Sequence, residues 1–272
     1  MEWPKKQITW IEDRTLYISV PFTWCLPEVK TIIQQRSFFW NSVIVGGPAI
    51  YLMPDYLAEI DYVSVGHNMD GVLQRVNPMA TRTTIGCIRS CKFCGVRKFE
   101  GDFKELEDWP NLPIICDNNL LAASQKHFDK VIDRLVKWEW ADFNQGLDSR
   151  LLTEYHAGRL SRIKKPIIRL ALDSIKYIDA WVVAFEKLIK AGIAKTNIRS
   201  YAIVGFDSDP SECWTRCELI TKQGIKVLPM WYHALDTLEK NIVTKNQTDL
   251  GWNDYERKRI MGWYYKHRGE KK

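Results

Sequence analysis

Apolar and polar positions along this chain fall into blocks whose period switches between two and about 3.6. Residues 15–23 (Thr-Leu-Tyr-Ile-Ser-Val-Pro-Phe-Thr) are β-branched and aromatic, which predicts a strand. Residues 27–38 place Val29, Ile32 and Ile33 at helical spacing. Ser42-Val43-Ile44-Val45-Gly46-Gly47-Pro48 is an apolar run closed by turn residues, hence a buried strand. A short helix over 54–59 and a strand over 61–66 follow. Strand, helix, strand, helix, strand predicts a small parallel sheet, a Rossmann-like lobe.

The same alternation resumes further on. Strands are expected at 81–85, 113–116, 141–147, 166–173, 198–204 and 226–231. Helices are expected between them at 124–138, 149–160, 178–191 and 211–223. The first is an amphipathic stretch carrying Phe128, Val131, Ile132, Leu135 and Val136. Pro210 and Gly224 bracket the last. The first crossover, 96–112, offers one short charged helical candidate at 103–109. Six parallel units joined by right-handed crossovers close, or nearly close, into a barrel. The expected fold class is therefore α/β, a partial (β/α)6 TIM-like barrel with a small N-terminal lobe. The expected domains are a lobe over 1–78, a core over 79–235 and a helical basic extension over 236–272. In that extension Ile260, Trp263 and Tyr264 predict a helix packed on the barrel.

Composition narrows the class. The chain has 272 residues, 46% of them hydrophobic, enough for a sizeable core. No apolar run approaches membrane length. The start, Met-Glu-Trp-Pro-Lys-Lys, lacks the apolar stretch of a secretory signal. The expected compartment is the cytoplasm, where the seven cysteines stay reduced. A net charge of +6 permits a nucleic-acid or nucleotide substrate without demanding one. The basic residues 266–272 read as a solvated end or a nucleic-acid contact. Twelve tryptophans are many for this length, and most are expected to fill the core.

Three of the seven cysteines fall within eight residues, Cys87-Ile88-Arg89-Ser90-Cys91-Lys92-Phe93-Cys94. Three thiolates on one short loop can converge on one inorganic centre. A four-iron cluster normally takes four thiolates, so three leave one iron open. Zinc sites are usually built from paired Cys-x2-Cys or Cys/His units, and no second pair lies near. The Cys-x3-Cys-x2-Cys spacing, with an aromatic before the last cysteine, resembles the cluster loop of the radical S-adenosylmethionine (SAM) enzymes. The resemblance implies that Cys87, Cys91 and Cys94 hold a [4Fe–4S] cluster whose open iron binds SAM. It implies reductive cleavage of SAM, a 5′-deoxyadenosyl radical that abstracts hydrogen, and an electron donor such as flavodoxin or ferredoxin. The alternative from another class is a zinc- or cluster-containing nucleic-acid-binding module without SAM chemistry.

The lobe order, Ile44 through Pro48 and then Asp61 through His67, is similar to the end of the cobalamin-binding domain found before many radical SAM cores. The lower-ligand motif Asp-x-His-x-x-Gly is absent, so cobalamin is not expected and His67 reads as a turn residue.

Sites on parallel barrels gather at the C-terminal strand ends. That rule selects the cysteine loop, Asp117-Asn118-Asn119, Gln145 through Arg150, Asp173 with Ser174, Gly205 with Asp207, and His233. The resemblance assigns some of them. Asp117 and Asn118 would hold the SAM amino group, and Asp173 and Ser174 the ribose or ammonium. Arg150 would pair with the SAM carboxylate, Gly205 would pass close to adenine, and Phe93 would lie on the adenine side. Other readings stay open: Asp173 as a helix cap, Arg150 as a surface ion pair, Gly205 as a turn, and His233 as a proton donor or a satisfied polar group. Cys116, Cys213 and Cys217 read as packing residues. The catalytic side chain is unknown from sequence.

Overall fold

The computed structural model describes residues 3, 5–35, 40–66, 69 and 71–263. His67, Tyr264 and the basic residues 266–272 lie outside them. The chain divides into two compact units. One comprises Met1–Met79, Arg89–Gly101 and His233–Lys240; the other comprises Ala80–Ile88, Asp102–Tyr232 and Asn241–Lys272.

The first unit holds a four-stranded sheet in the order β1 (Ile8–Glu12), β2 (Thr15–Ser19), β3 (Ser42–Gly46), β4 (Val63–Val65). β2, β3 and β4 are parallel, as the pattern predicts, and β1 adds an antiparallel edge through a hairpin. Helix α1 (Leu26–Gln35) buries Leu26, Val29 and Ile33. They join Leu16, Ile18, Val43 and Val45 in a separate small core. The helix expected over 54–59 lies earlier, as α2 (Pro48–Leu52), with a 3-10 turn at Pro54–Tyr56. Proline opens each piece, because its missing N–H and fixed φ suit a first turn and not an interior. A short helix α3 (Val72–Val76) was not anticipated. Gly47 has φ +99°, and a Cβ there would stand 2.7 Å from the Val20 carbonyl oxygen. Close backbone packing accounts for that glycine.

The second unit is built on a six-stranded sheet. Its strands are β5 (Ala80–Thr81), β8 (Ile114–Ile115), β9 (Trp140–Phe143), β10 (Lys165–Ala171), β11 (Ile198–Val204) and β12 (Lys226–Trp231). All neighbours are parallel and follow sequence order. The fold is thus mixed α/β with a parallel sheet of six strands. Right-handed connections between strands in sequence order put the helices on one face. Burial agrees. Pro166, Ile168 and Leu170 of β10 are buried beside Ala141, Phe143, Ile198, Ala202 and Val204. They form one core with helices α5 (Gln125–Val136), α7 (Ile178–Lys190) and α8 (Pro210–Lys222). On that face fully buried Trp181 donates from Nε1 to Ser200 Oγ at 3.0 Å. The other face carries Asp142, Arg169, Arg199, Tyr201 and Lys226.

Four expected elements are corrected. The first strand, 81–85, splits after Thr81; β6 (Thr84–Ile85) turns aside to pair antiparallel with β7 (Lys104–Glu105). The charged stretch 103–109 therefore contributes a strand and a loop instead of a helix, and α4 (Val96–Phe99) supplies the helical turn after the cysteines. The helix expected from 149 begins at α6 (Glu154–Leu160), because Thr153 caps it. Thr153 Oγ1 accepts the His156 N–H, and the His156 ring returns to the Thr153 N–H. The strand expected over 141–147 stops at Phe143, and Leu147 rejoins the sheet by one bridge to Leu170. The expected helix near the end is present as α10 (Asp254–Met261), with Ile260 and Trp263 buried in the second unit's core. Among the described residues no helix is long and apolar enough to cross a membrane.

Trp181→Ala should destabilise the larger unit by about 3–5 kcal/mol through cavity formation. Trp181→Phe should cost only about 1–2 kcal/mol, mainly the lost Ser200 hydrogen bond. Urea melts followed by circular dichroism would check both.

Candidate functional site

Of the cysteine loop, Cys87 and Ile88 belong to the second unit and Arg89 through Cys94 to the first. On the first unit's side, the Cys94 N–H donates to the Cys91 carbonyl at 2.9 Å. This closes a tight turn through Lys92 and Phe93, with Phe93 half-buried. The turn runs straight into α4, which packs on α2. On the second unit's side, Asn119 Nδ2 lies 3.6 Å from Cys87 Sγ and donates to it.

Access to water separates the seven thiols. Cys87, Cys91 and Cys94 are half-buried, while Cys25, Cys116, Cys213 and Cys217 are buried. Burial pushes the thiols of Cys116 and Cys217 up to about 12, and that of Cys25 upward as well. Metal ligation needs the thiolate, which such buried positions disfavour. Among the described residues no group of three or more His, Cys, Asp or Glu side chains is gathered to hold a metal ion. The three half-buried thiols lie within eight residues of one another in the chain, and the buried four lie elsewhere.

Asp117 follows β8 and is 3% exposed. Its Oδ1 accepts the backbone N–H groups of Thr83 at 2.6 Å and Thr84 at 3.0 Å, and its Oδ2 accepts the Thr83 hydroxyl. Burial raises its proton affinity, and these donors lower it. With both oxygens engaged, the carboxylate acts as an anchor for the segment that runs into Cys87. Neighbouring Asn119 is 2% exposed, and its Oδ1 is buried without a partner. Asn118 is half-buried.

One residue of this cluster escaped the sequence reading. His127 of α5 is 6% exposed, with Nε2 3.2 Å from Thr83 Oγ1 and Nδ1 3.6 Å from Glu105 Oε2. Burial depresses its proton affinity, while Glu105 opposes that. A histidine on an amphipathic helix gives no sign of this in sequence, because Thr83 and Glu105 reach it only through the fold.

At the next strand ends the selected residues take up local roles. Asp173 follows β10, and its Oδ1 accepts the Ile203 N–H at 3.0 Å, extending the ladder to β11 beyond the last strand residue. Burial of the carboxyl group raises its proton affinity; Arg216 and Arg150 pull it down. The cap of the following 3-10 turn is Ser174, which accepts the Lys176 N–H at 3.3 Å, and not Asp173. Arg150 grips Asp148 with Nε–Oδ1 2.7 Å and Nη2–Oδ2 2.9 Å, and lies over the Tyr177 ring. It is therefore held by a carboxylate of its own turn. Gly205 has φ +80°, and a Cβ there would stand 2.7 Å from the Trp231 ring. Its carbonyl accepts Gln247 Nε2 at 2.9 Å. Gln145 and Asp207 occupy turns after β9 and β11. His233 belongs to the other unit, its ring 4.7 Å from that of Trp24.

A second residue missed in sequence holds two of these ends. Arg216 of α8 is fully buried and donates from Nη1 to the carbonyls of Leu172 at 2.8 Å and Ile203 at 2.9 Å. It also donates from Nη2 to Cys213 Sγ at 3.0 Å. It thus fixes the backbone just before Asp173 and Gly205.

No protein-family model and no curated protein matches this chain.

Two outcomes follow from these contacts. Burial lowers the proton affinity of His127 in the folded protein, so below its unfolded value of about 6.5 the unfolded chain takes up a proton that the native ring resists. Stability should fall as pH drops through 6.5 towards 5, and His127→Gln should flatten that dependence in urea melts at several pH values. Gly205→Ala should cost about 2–4 kcal/mol, from the left-handed backbone and the clash with Trp231. A lowered denaturation midpoint would register it.

Proposed function

We propose that this chain is a radical SAM enzyme. The observation that carries the reading is the Cys87-x3-Cys91-x2-Cys94 loop with Phe93 before the last cysteine. The wetter environment of these three thiols, against four buried ones, supports it. So does a sheet of six parallel strands in sequence order, which suits a partial (β/α)6 barrel with the loop after its first strand. In this reading Cys87, Cys91 and Cys94 hold a [4Fe–4S] cluster. When bound, that cluster supplies the electron that splits SAM into methionine and a hydrogen-abstracting 5′-deoxyadenosyl group, the electron coming from a flavodoxin- or ferredoxin-type donor.

The protein's own contribution is placement. Asp117 secures the Thr83–Thr84 backbone and so the approach to Cys87. Asn119 steadies the Cys87 sulfur with one amide hydrogen and keeps a carbonyl oxygen free for a donor such as an ammonium group. Asn118 stands beside it. Asp173 and Ser174 offer acceptors for hydroxyl or ammonium hydrogens, and Asp173 keeps one oxygen beyond the one used by Ile203. Arg150 reaches a carboxylate ligand only by sharing or exchanging Asp148. Gly205 lets buried backbone turn closely past Trp231 at the next strand end, and Arg216 holds both ends in register. A nucleotide or nucleic-acid substrate agrees with the net positive charge, and a cytoplasmic setting agrees with reduced thiols. Cobalamin is not part of the reading.

Anaerobic reconstitution of the full chain should yield about four iron and four sulfide per protein, and Cys87→Ala, Cys91→Ala or Cys94→Ala should abolish uptake. Reduced protein given SAM should form 5′-deoxyadenosine and methionine. Stoichiometric zinc in place of iron, or iron uptake that survives all three substitutions, would refute the assignment.

A further inference from the structure

The larger unit separates charge between the two ends of its sheet. Its six strands are parallel, so their starts share one edge and their ends the other. Carboxylates follow the strand ends, with Asp117 after β8, Asp148 after β9 and Asp173 after β10. At the starts the pattern reverses. The loops leading into β10, β11 and β12, residues 161–164, 191–197 and 223–225, hold no Asp or Glu. They and the residues flanking them carry Arg162, Lys164, Lys165, Lys190, Lys195 and Lys222, all exposed. The last two loops are neighbours: a Cβ at Gly224 would stand 3.8 Å from Lys195 Cδ. Further along the same edge, the loop before β8 carries Glu107 and Asp108, which bounds the basic patch.

Neighbouring carboxylates offset three of the six cations. Arg162 meets Asp133 at 3.5 Å, Lys164 meets Glu139 at 3.1 Å and Lys190 meets Glu154 at 3.0 Å. Each pair is open to water, contributes little, and exchanges readily for another anion. Lys195 reaches a ring instead, 5.8 Å from the Phe185 centroid, and keeps its full charge. Lys165 and Lys222 form no ion pair among the described residues. Strand starts about 4.8 Å apart, each with its loop, spread these charges over the span of a few backbone phosphates. A duplex presents one such charge per about 1.7 Å of its axis.

The side chains that these loops lack select the occupant. Large apolar groups stand exposed elsewhere, Ile175 and Tyr177 among them, but none on the three loops. Unpaired bases are held by stacking on aromatic rings. A lipid surface is held by apolar anchors as well as by charge. A duplex needs neither, since phosphate is what it turns outward. We infer that this basic edge docks the sugar–phosphate backbone of a nucleic-acid duplex without reading its sequence. Asp117 and Asp173 stand at the opposite edge, so the surface acts as a tether and does not depend on the radical SAM reading.

Fluorescence anisotropy of a labelled DNA duplex of about 20 base pairs, titrated with the full chain before and after iron–sulfur reconstitution, tests the surface. Both preparations should bind equally, with a dissociation constant on the order of 10⁻⁵ M near physiological salt and little change when the sequence is scrambled. The logarithm of the binding constant should fall with the logarithm of salt concentration at a slope of about −4. Combining Lys165→Glu, Lys195→Glu and Lys222→Glu should weaken binding at least about thirtyfold and flatten the slope by about 3. The same three positions changed to Arg should retain it. All three side chains are exposed, and circular dichroism would verify folding. Affinity that survives the three reversals, as when the basic residues 266–272 carry it, would overturn the surface. So would a slope near zero, tighter binding of the single strand, or capture of phosphatidylserine vesicles without capture of the duplex. Duplex binding by a protein that never takes up iron would sustain this surface while removing the radical SAM reading, and iron uptake without duplex binding would do the reverse.

Discussion

The second unit depends on one buried carboxylate. Asp117 sits where β8 ends, and Thr83 and Thr84 sit where the chain leaves β5 for the cysteine loop. Two backbone N–H groups and a hydroxyl converge on that carboxylate. Removing it would strand buried donors, each costing about 1–3 kcal/mol. It also explains why the first strand is so short. Once Thr83 and Thr84 turn their N–H groups to a side chain, they no longer pair with a neighbouring strand of the main sheet. The segment is released to run antiparallel to Lys104–Glu105 instead. His127 and Glu105 close the network from the other side, so helix, hairpin and strand end are tied through one threonine hydroxyl.

The same device recurs along the sheet. Asp173 gives its carboxylate to the Ile203 N–H, and Arg216 gives its guanidinium to the Leu172 and Ile203 carbonyls. Polar side chains thus satisfy backbone groups where strand pairing runs out, a requirement for buried peptide groups. Residues chosen as ligands because they are polar and follow apolar strands therefore carry two demands. Asp117 meets the structural one completely, and Asp173 in part, with an oxygen left over. Asn119 divides its amide between the Cys87 sulfur and an oxygen with no partner.

The sheet's two faces divide the labour. One is apolar and covered by helices; the other holds Asp142, Arg169, Arg199, Tyr201 and Lys226. A parallel strand covered on both faces reads as an unbroken hydrophobic run. β10 and β11 instead interrupt theirs with Arg169, Arg199 and Tyr201, and these interruptions mark the face left for polar contacts. Charge on that face is a property of register, since residues 169, 199 and 226 are far apart in the chain and become neighbours only through pairing.

Sequence by itself determined the order of the main parallel strands and the longer helices between them, because hydrophobic period is a local property: those strands, the amphipathic helices over 124–138, 178–191 and 211–223, and the apolar face all follow from it. It also determined the Cys-x3-Cys-x2-Cys loop, whose three thiols are near neighbours in the chain. Short elements near Pro48, Pro54, Thr84 and Thr153 were misplaced, since caps and turns there outweigh a weak period. Tertiary structure alone decided what the polar residues do. Whether Asp117 meets a ligand or Thr83, whether Arg150 is held by Asp148, and whether Arg169, Arg199 and Lys226 share a face all depend on groups that chain folding brings together from distant positions. Local pattern carries no information about those partners, and the energy of a buried charge is set by its partners.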